Sequence, residues 1–212
     1  WGDKTFEFLK ILSNGSSPLL LKLADALNFD LDQRLFYPNS IFIAGTTEET
    51  LALIHPIIPE KNKDFILTIH KECYANQKQI PVKNLFNVLH YLHKIGYMLG
   101  VVTNDLEQPT INQLRDSRIL QFFSTVLGSD SGYGAKPKPS QLIEFQRRKG
   151  LLAREILMVG DSTHDMVAAK AAGMRSFAVL TGVASRSDLE PYAETVFDDI
   201  SFLPNWLKKQ KY

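Results

Sequence analysis

The sequence is poor in sulfur. Among its 212 residues there is one cysteine, Cys73, so no internal disulfide and no multi-cysteine metal site can form, and a reducing compartment, the cytoplasm, is the expected setting. Long apolar runs are also missing: nothing approaches the ~20 residues that span a bilayer, and no secretory leader pattern opens the chain. Charge of one sign is scarce as well. The 24 Lys and Arg against 23 Asp and Glu leave a net charge of +1, too little for a surface that holds nucleic acid or anionic membrane, so neither is expected as a partner. There are no internal repeats and no low-complexity tracts. Residue 1 is Trp rather than Met, and the sequence is expected to begin inside a longer polypeptide. What is present is ordinary for a globular protein, 44% hydrophobic and 22% charged residues, in a chain long enough for one sizeable core or a core with a modest insertion.

The chain has two textures. From about residue 84 onward, short apolar runs at 98–103, 125–128, 156–159, 176–180 and 195–197 alternate with helical patterns at 82–95, 111–123, 139–149 and 165–172, which predicts βαβ units and a parallel sheet. Gly96, Gly150 and Gly173 fall where helix C-caps belong. Between about 13 and 80 there are helix-like segments at 17–27, 46–55 and 61–75 without alternating strands. Pro38-Asn39, Pro56 and Pro59 punctuate them, and Thr46 with Glu49 predicts a capping box. The opening segment is helix-patterned too, with Phe6, Leu9 and Leu12 on one face. The expected architecture is α/β, a Rossmann-like parallel sheet core made of 1–12 and 81–212, with an inserted helical cap over 13–80.

The polar signals cluster at strand ends. Ile156-Leu157-Met158-Val159 runs into Gly160, then offers Asp161 and Asp165 four positions apart at the entry to an Ala-rich helix. In open α/β sheets that turn lies on the carboxyl edge, where ligands bind. Two acids there suit a hard cation such as Mg²⁺; alternatively Asp161 is a turn residue and Asp165 a first-turn acid favoured by the helix dipole. The run Met98–Thr103 ends in Thr103-Asn104-Asp105, setting a hydroxyl beside amides free to face an anion, although a Thr at a strand end is commonly a structural hydrogen bonder. Lys136-Pro137-Lys138-Pro139 makes a stiff turn before a helix and can hold Lys136 toward a phosphate; both lysines could equally be solvated.

Taken in order, Val102-Thr103-Asn104, Lys136-Pro137-Lys138-Pro139 and Gly160-Asp161-Ser162-Thr163-His164-Asp165 resemble motifs II, III and IV of the haloacid dehalogenase superfamily. The tail Ala168-Ala169-Lys170-Ala171-Ala172-Gly173 and the helical segment before Thr103 look like its phosphoglycolate phosphatase branch. The resemblance covers essentially the whole chain. It implies a Mg²⁺-dependent phosphatase acting through an aspartyl phosphate on a small phosphorylated metabolite, as a monomer or homodimer. Thr103, Asn104 and Lys136 would bind the phosphoryl group, with Lys136 also offsetting its charge, and Asp161 and Asp165 would serve the metal. A non-catalytic phospho-ligand-binding or scaffold protein of the same fold is the rival from another class; a phospho-accepting receiver domain, which carries no such cap, ranks last.

One departure from the family pattern stands out. Motif I, Asp-x-Asp-Gly-Thr, occurs nowhere in the sequence, and Asp3-Lys4-Thr5 cannot replace it because no apolar strand precedes it. The nucleophile and the general acid/base are expected on a strand just ahead of Trp1. His164 sits at a variable position of the pattern and reads as a helix-start residue. Arg34 and lysines 61, 63, 71 and 78 read as surface charges of the cap, and Phe36, Tyr37 and Phe42 as its core.

Overall fold

In the computed structural model, which describes residues 1–38, 40–74 and 80–210, the chain divides into two compact units, Trp1–Lys78 and Gln79–Tyr212.

The first unit is mainly helical: α1 (Gly2–Ser13), α2 (Ser17–Ala26), a short hairpin of β1 (Phe29–Asp30) and β2 (Leu35–Phe36), then α3 (Ile41–Ala44), α4 (Thr47–Ile54) and α5 (Lys63–Tyr74). Apolar residues at helical spacing turn inward. Phe8, Leu9 and Leu12 of α1 are fully buried with Leu23, Ile54 and Ile66 of the other helices. Burial of that order is worth about 1.5–3 kcal/mol per large side chain before entropy is counted. The expected capping box forms: Thr46 Oγ1 accepts from the Glu49 amide at 3.1 Å, and Glu49 accepts from the Thr46 amide at 2.7 Å. The segment 1–12, expected in the α/β core, belongs here instead. Its buried face packs on α2 and α5, Thr5 Oγ1 lies 2.8 Å from Tyr74 Oη, and the division falls between 78 and 79 rather than 80 and 81. The hairpin is a second correction to a segment expected without strands. Lys78 and the last position of the helix expected over 61–75 lie outside the described residues.

The second unit alternates strand and helix as expected: α6 (Leu85–Lys94), β3 (Leu99–Val102), α7 (Glu107–Asp116), β4 (Phe123–Leu127), α8 (Ser140–Lys149), β5 (Leu157–Gly160), α9 (Thr163–Ala171), β6 (Arg175–Val179), α10 (Arg186–Leu189), β7 (Thr195–Phe197) and α11 (Leu203–Lys209). Every strand pair in it is parallel. β3 pairs with β4 through Val101↔Val126 and Val102↔Leu127; β5 pairs with β6 through Val159↔Phe177, and β6 with β7 through Ala178↔Val196. β3 and β5 are not bonded to each other, so the expected single sheet is divided into a pair and a triplet. The helix expected over 111–123 runs earlier, over 107–116. Pro109 is tolerated in its first turn, where amides need no partner within the helix, and the apolar end of the expected span forms a 3-10 turn, Leu120–Phe122, that leads into β4 at Phe123. Gly150 and Gly173 take positive φ, 65° and 69°, just past α8 and α9, as C-cap glycines do.

Candidate active site

β3, β4 and β5 run in the same sense within their sheets, and each delivers its following loop from a carboxyl end. Asn104 ties two of these loops together. Its side chain forms a matched pair with the backbone of Lys136, accepting from the amide at 2.8 Å and donating to the carbonyl at 2.9 Å. Asn104 is buried, so this pair stands where water cannot replace it. Gln141, fully buried near the start of α8, clamps the same strand ends by donating to Thr103 O at 3.1 Å and Gly128 O at 2.8 Å. Thr103 Oγ1 accepts from the Asp105 amide at 3.1 Å, which closes a turn directly after β3.

Lys136 is thereby aimed inward. Its Nζ donates to Val102 O at 2.8 Å and to Asp165 Oδ1 at 2.6 Å, and the side chains of this ion pair are only 11% and 7% exposed. Lys138, two positions on, is exposed. Asp165 is the N3 residue of α9: its Oδ2 accepts from Ser162 N at 3.1 Å and from Ser162 Oγ at 2.8 Å, and Ser162 Oγ accepts in return from the Asp165 amide. The plain expectation for this residue, a first-turn acid, is seen in the geometry, and the same carboxylate also holds a lysine. Gly160 makes room for it. A Cβ at 160 would stand 2.5 Å from Asp165 Cβ and closer still to its carboxyl group, well inside van der Waals contact.

The two acids of this turn differ electrostatically. Burial pushes the Asp165 carboxyl up, but the Lys136 charge and hydrogen bond, together with Ser162, outweigh it and leave the group below the usual carboxylate range. Asp161 is raised: burial and the nearby Asp165 charge oppose its ionisation more than Lys136 supports it. Asp161 makes no hydrogen bond to a neighbouring side chain among the described residues, whereas both oxygens of Asp165 are engaged. Gly182 approaches Asp161 so closely that a Cβ there would meet its Cγ at 2.7 Å. The Asp105 carboxyl is raised by desolvation among the surrounding loops, against the pull of the Lys136 charge. Among the described residues no group of three His, Cys, Asp or Glu converges on a common point. A half-buried carboxylate with no cationic side chain bonded to it nonetheless fits a cation that takes one or two protein oxygens and keeps its waters, as Mg²⁺ does.

The structure thus brings Thr103, Asn104, Lys136, Asp161 and Asp165 to one edge of the second unit. Sequence reasoning missed Gln141, whose only signal was a polar residue in the first turn of an amphipathic helix, and gave Asp105 no role. The Asp-x-Asp pair Asp30 and Asp32 lies in the hairpin of the first unit, where Asp30 accepts from the amides of Asp32 and Gln33 at 2.9 and 2.8 Å.

Known proteins resemble this chain in sequence and in fold. A family model described as haloacid dehalogenase-like hydrolase matches residues 39–179. A phosphoglycolate phosphatase of Aliivibrio fischeri is 38% identical over 120 residues, 55% of this chain and 52% of that protein. Pyrophosphatase PpaX of Halalkalibacterium halodurans is 26% identical over 132 residues, 61% of this chain and 60% of the relative. The matches therefore span only a little over half of either relative's length. In fold, the chain is similar to a crystal structure described as a "predicted phosphoglycolate phosphatase" from Haemophilus somnus, with a TM-score of 0.71, 22% identity, and coverage of 89% of this chain and 90% of that one.

Proposed function

Since the chain belongs to the haloacid dehalogenase-like hydrolase family, we propose that it is a Mg²⁺-dependent phosphatase for a small phosphorylated metabolite of the phosphoglycolate type, working through an aspartyl phosphate. The observation that carries this reading is the convergence of Lys136 with the carboxyl ends of β3 and β5. One buried cation is fixed there by an amide clamp, between the Thr103 turn on one side and a carboxylate, Asp161, that it offsets only in part on the other. The names of relatives support a phosphoester or phosphoanhydride substrate.

In this reading Thr103 Oγ1 and the amides of its turn hold phosphoryl oxygens, and Lys136 offsets their charge. Asp165 and Asn104 keep Lys136 in place. Asp161 is the residue left to hold the metal, with Asp165 acting on it through charge rather than by direct ligation. When bound, Mg²⁺ would neutralise charge developing on the phosphoryl group. The nucleophile is a carboxylate that residues 1–212 do not supply in an Asp-x-Asp-Gly-Thr segment. The second reading is a phospho-ligand-binding or scaffold protein of the same fold without turnover, supported by the same convergence of Lys136 with the two strand ends. Among the described residues no helix is long and apolar enough to cross a membrane; the proposal sets the activity in the cytoplasm, in a monomer or homodimer.

The test is hydrolysis of 2-phosphoglycolate, pyrophosphate and p-nitrophenyl phosphate by the natural polypeptide as its gene encodes it, with and without EDTA. Mg²⁺-dependent turnover with an acid-stable, base-labile phosphoprotein is expected. Phosphate binding without turnover would hand the site to the scaffold reading.

A further inference from the structure

β3 and β4 fork at their carboxyl ends. The parallel ladder runs as far as the Thr103 amide, which donates to Leu127 O at 2.9 Å. The next rung of such a ladder would carry the Ser129 amide to Thr103 O, but that amide turns to Asp105 O instead, at 2.9 Å. Gln141 supplies the donor that the ladder does not: the two hydrogens of its Nε2 go one to Thr103 O at 3.1 Å and one to Gly128 O at 2.8 Å. Its orientation follows from chemistry, because a reversed amide would set Oε1 against two carbonyl oxygens. As it stands, Oε1 is buried and has no hydrogen-bond partner among the described residues. A buried acceptor without a donor lowers stability, and a leucine of similar size at 141 would carry none. The orphaned oxygen therefore needs an explanation other than stability, and what the amide holds together provides one.

We infer that Gln141 is a positioning residue for the phosphoryl group: by bridging the two carbonyls it holds the fork at the width at which Thr103 and Lys136 serve one anion. The inference rests on the phosphate site proposed above and adds to it a side chain that acts only through others. Both anion-binding groups hang from this fork. The Thr103 hydroxyl accepts from the Asp105 amide at 3.1 Å, and Asp105 O receives the Ser129 amide, so the turn that carries the hydroxyl is bolted across to the end of β4. Lys136 is held by the side chain of Asn104, the residue after Thr103, and its Nζ donates to Val102 O at 2.8 Å, the residue before. With hydrocarbon in place of the bridge, two carbonyls lose their donor. The fork then closes, as the Ser129 amide moves back to Thr103 O, or it widens as water enters. Either shift moves the hydroxyl relative to the ammonium, and a displacement of about an ångström in a positioned site can cost on the order of a hundredfold.

The test titrates inorganic phosphate calorimetrically into the natural polypeptide and three variants, at about pH 6 and about pH 9, a range across which a buried glutamate changes charge. Gln141→Leu removes both donors and should weaken binding about tenfold or more at either pH. Gln141→Glu regains one donor when protonated and sets a carboxylate against two carbonyl oxygens when ionised. It should bind within about fivefold of the parent at the lower pH and about tenfold or more below it at the higher. Glu144→Gln, one turn on in α8 and engaged only with Arg147 and Arg148 among the bonded side chains, loosens the helix without touching the fork. It should lower the melting temperature and leave phosphate affinity within about twofold. A Gln141→Leu variant within about twofold of the parent would overturn the inference. So would Gln141→Glu that binds alike at both pH values relative to the parent, or Glu144→Gln that weakens phosphate as much as Gln141→Leu does. If Gln141→Leu does not fold, the contrast between the two pH values in Gln141→Glu decides alone. A parent that binds no phosphate at either pH would overturn the phosphate site itself, and this inference with it, which separates the two failures.

Discussion

Gly160→Ala tests the site's construction more sharply than removal of any charged group, because it leaves every charge in place. The added Cβ would lie 2.5 Å from Asp165 Cβ, whereas non-bonded carbons settle near ~3.5–4 Å. Either β5 or the first turn of α9 must shift by about an ångström, and the Asp165 carboxyl must move with it. Its bond to Lys136 is 2.6 Å long, between side chains 7% and 11% exposed. Overpacking alone costs about 1–3 kcal/mol, and stripping a buried ion pair of one partner about 3–5 kcal/mol. Displacement without deletion should fall between, about 2–4 kcal/mol. At roughly 3–4 °C per kcal/mol for a unit of this size, the melting temperature should fall by about 6–16 °C in a thermal melt followed by circular dichroism. A double-mutant cycle with Lys136→Met isolates the pair. The two costs should be sub-additive by about 1 kcal/mol or more, since both act on the same contact. A variant within about 0.5 kcal/mol of the parent, or costs that add within about 0.5 kcal/mol, would refute the close approach of Gly160 to the buried ion pair.

Other outcomes follow from the same structure. Lys136→Ala should weaken inorganic phosphate binding about tenfold or more, and Lys138→Ala by less than about twofold, as read by calorimetry, because only Nζ of Lys136 turns inward; equal losses would contradict the assigned register. His164→Ala should change phosphate affinity little, and a collapse would move His164 into the site. His70 packs against Phe8, Phe42 and Tyr74, and burial lowers its pKa from 6.5 to about 4. A depressed basic group favours the folded state fully above pH 6.5, and that contribution is lost as pH falls from 6.5 toward 4, by roughly 2–3 kcal/mol. Urea melts between pH 7 and 4.5 should show the loss, and His70→Phe should flatten it; an unchanged slope in that variant would assign the loss to other groups.

The strand-to-helix turn after β5 was legible because an apolar run, a glycine and an N-cap serine are local signals, and so was the Thr46 and Glu49 box. The candidate site was legible as a set of strand ends. Its internal wiring was not, since pairing Lys136 with Asp165, or Asn104 with the Lys136 backbone, depends on how separate loops meet. The hairpin at 29–36 was hidden because its turn is held by the Asp30 side chain rather than by a glycine pair. α11 was hidden behind its lysines: Leu203 and Leu207 are buried in the core cluster that Trp206 also touches, but the segment is too short for a periodic pattern to stand out. Placement of α1 in the helical unit depended on which partners its apolar face found, which periodicity does not encode. The division between β3 and β5 was equally out of reach, because apolar runs announce strands without naming their neighbours.

The central claim is that Thr103, Lys136 and Asp161 form one site with an anion end and a cation end, and thermodynamic linkage measures it directly. Inorganic phosphate should be titrated calorimetrically with and without Mg²⁺, in the parent and in Asp161→Asn. One shared site predicts that Mg²⁺ raises phosphate affinity at least fivefold and that phosphate raises Mg²⁺ affinity by the same factor, as reciprocity requires. Asp161→Asn should abolish that coupling and leave the thermal melt unchanged or slightly improved, since Asp161 is a carboxylate whose ionisation burial opposes. Phosphate binding that ignores Mg²⁺, or coupling that survives in Asp161→Asn, would contradict the account.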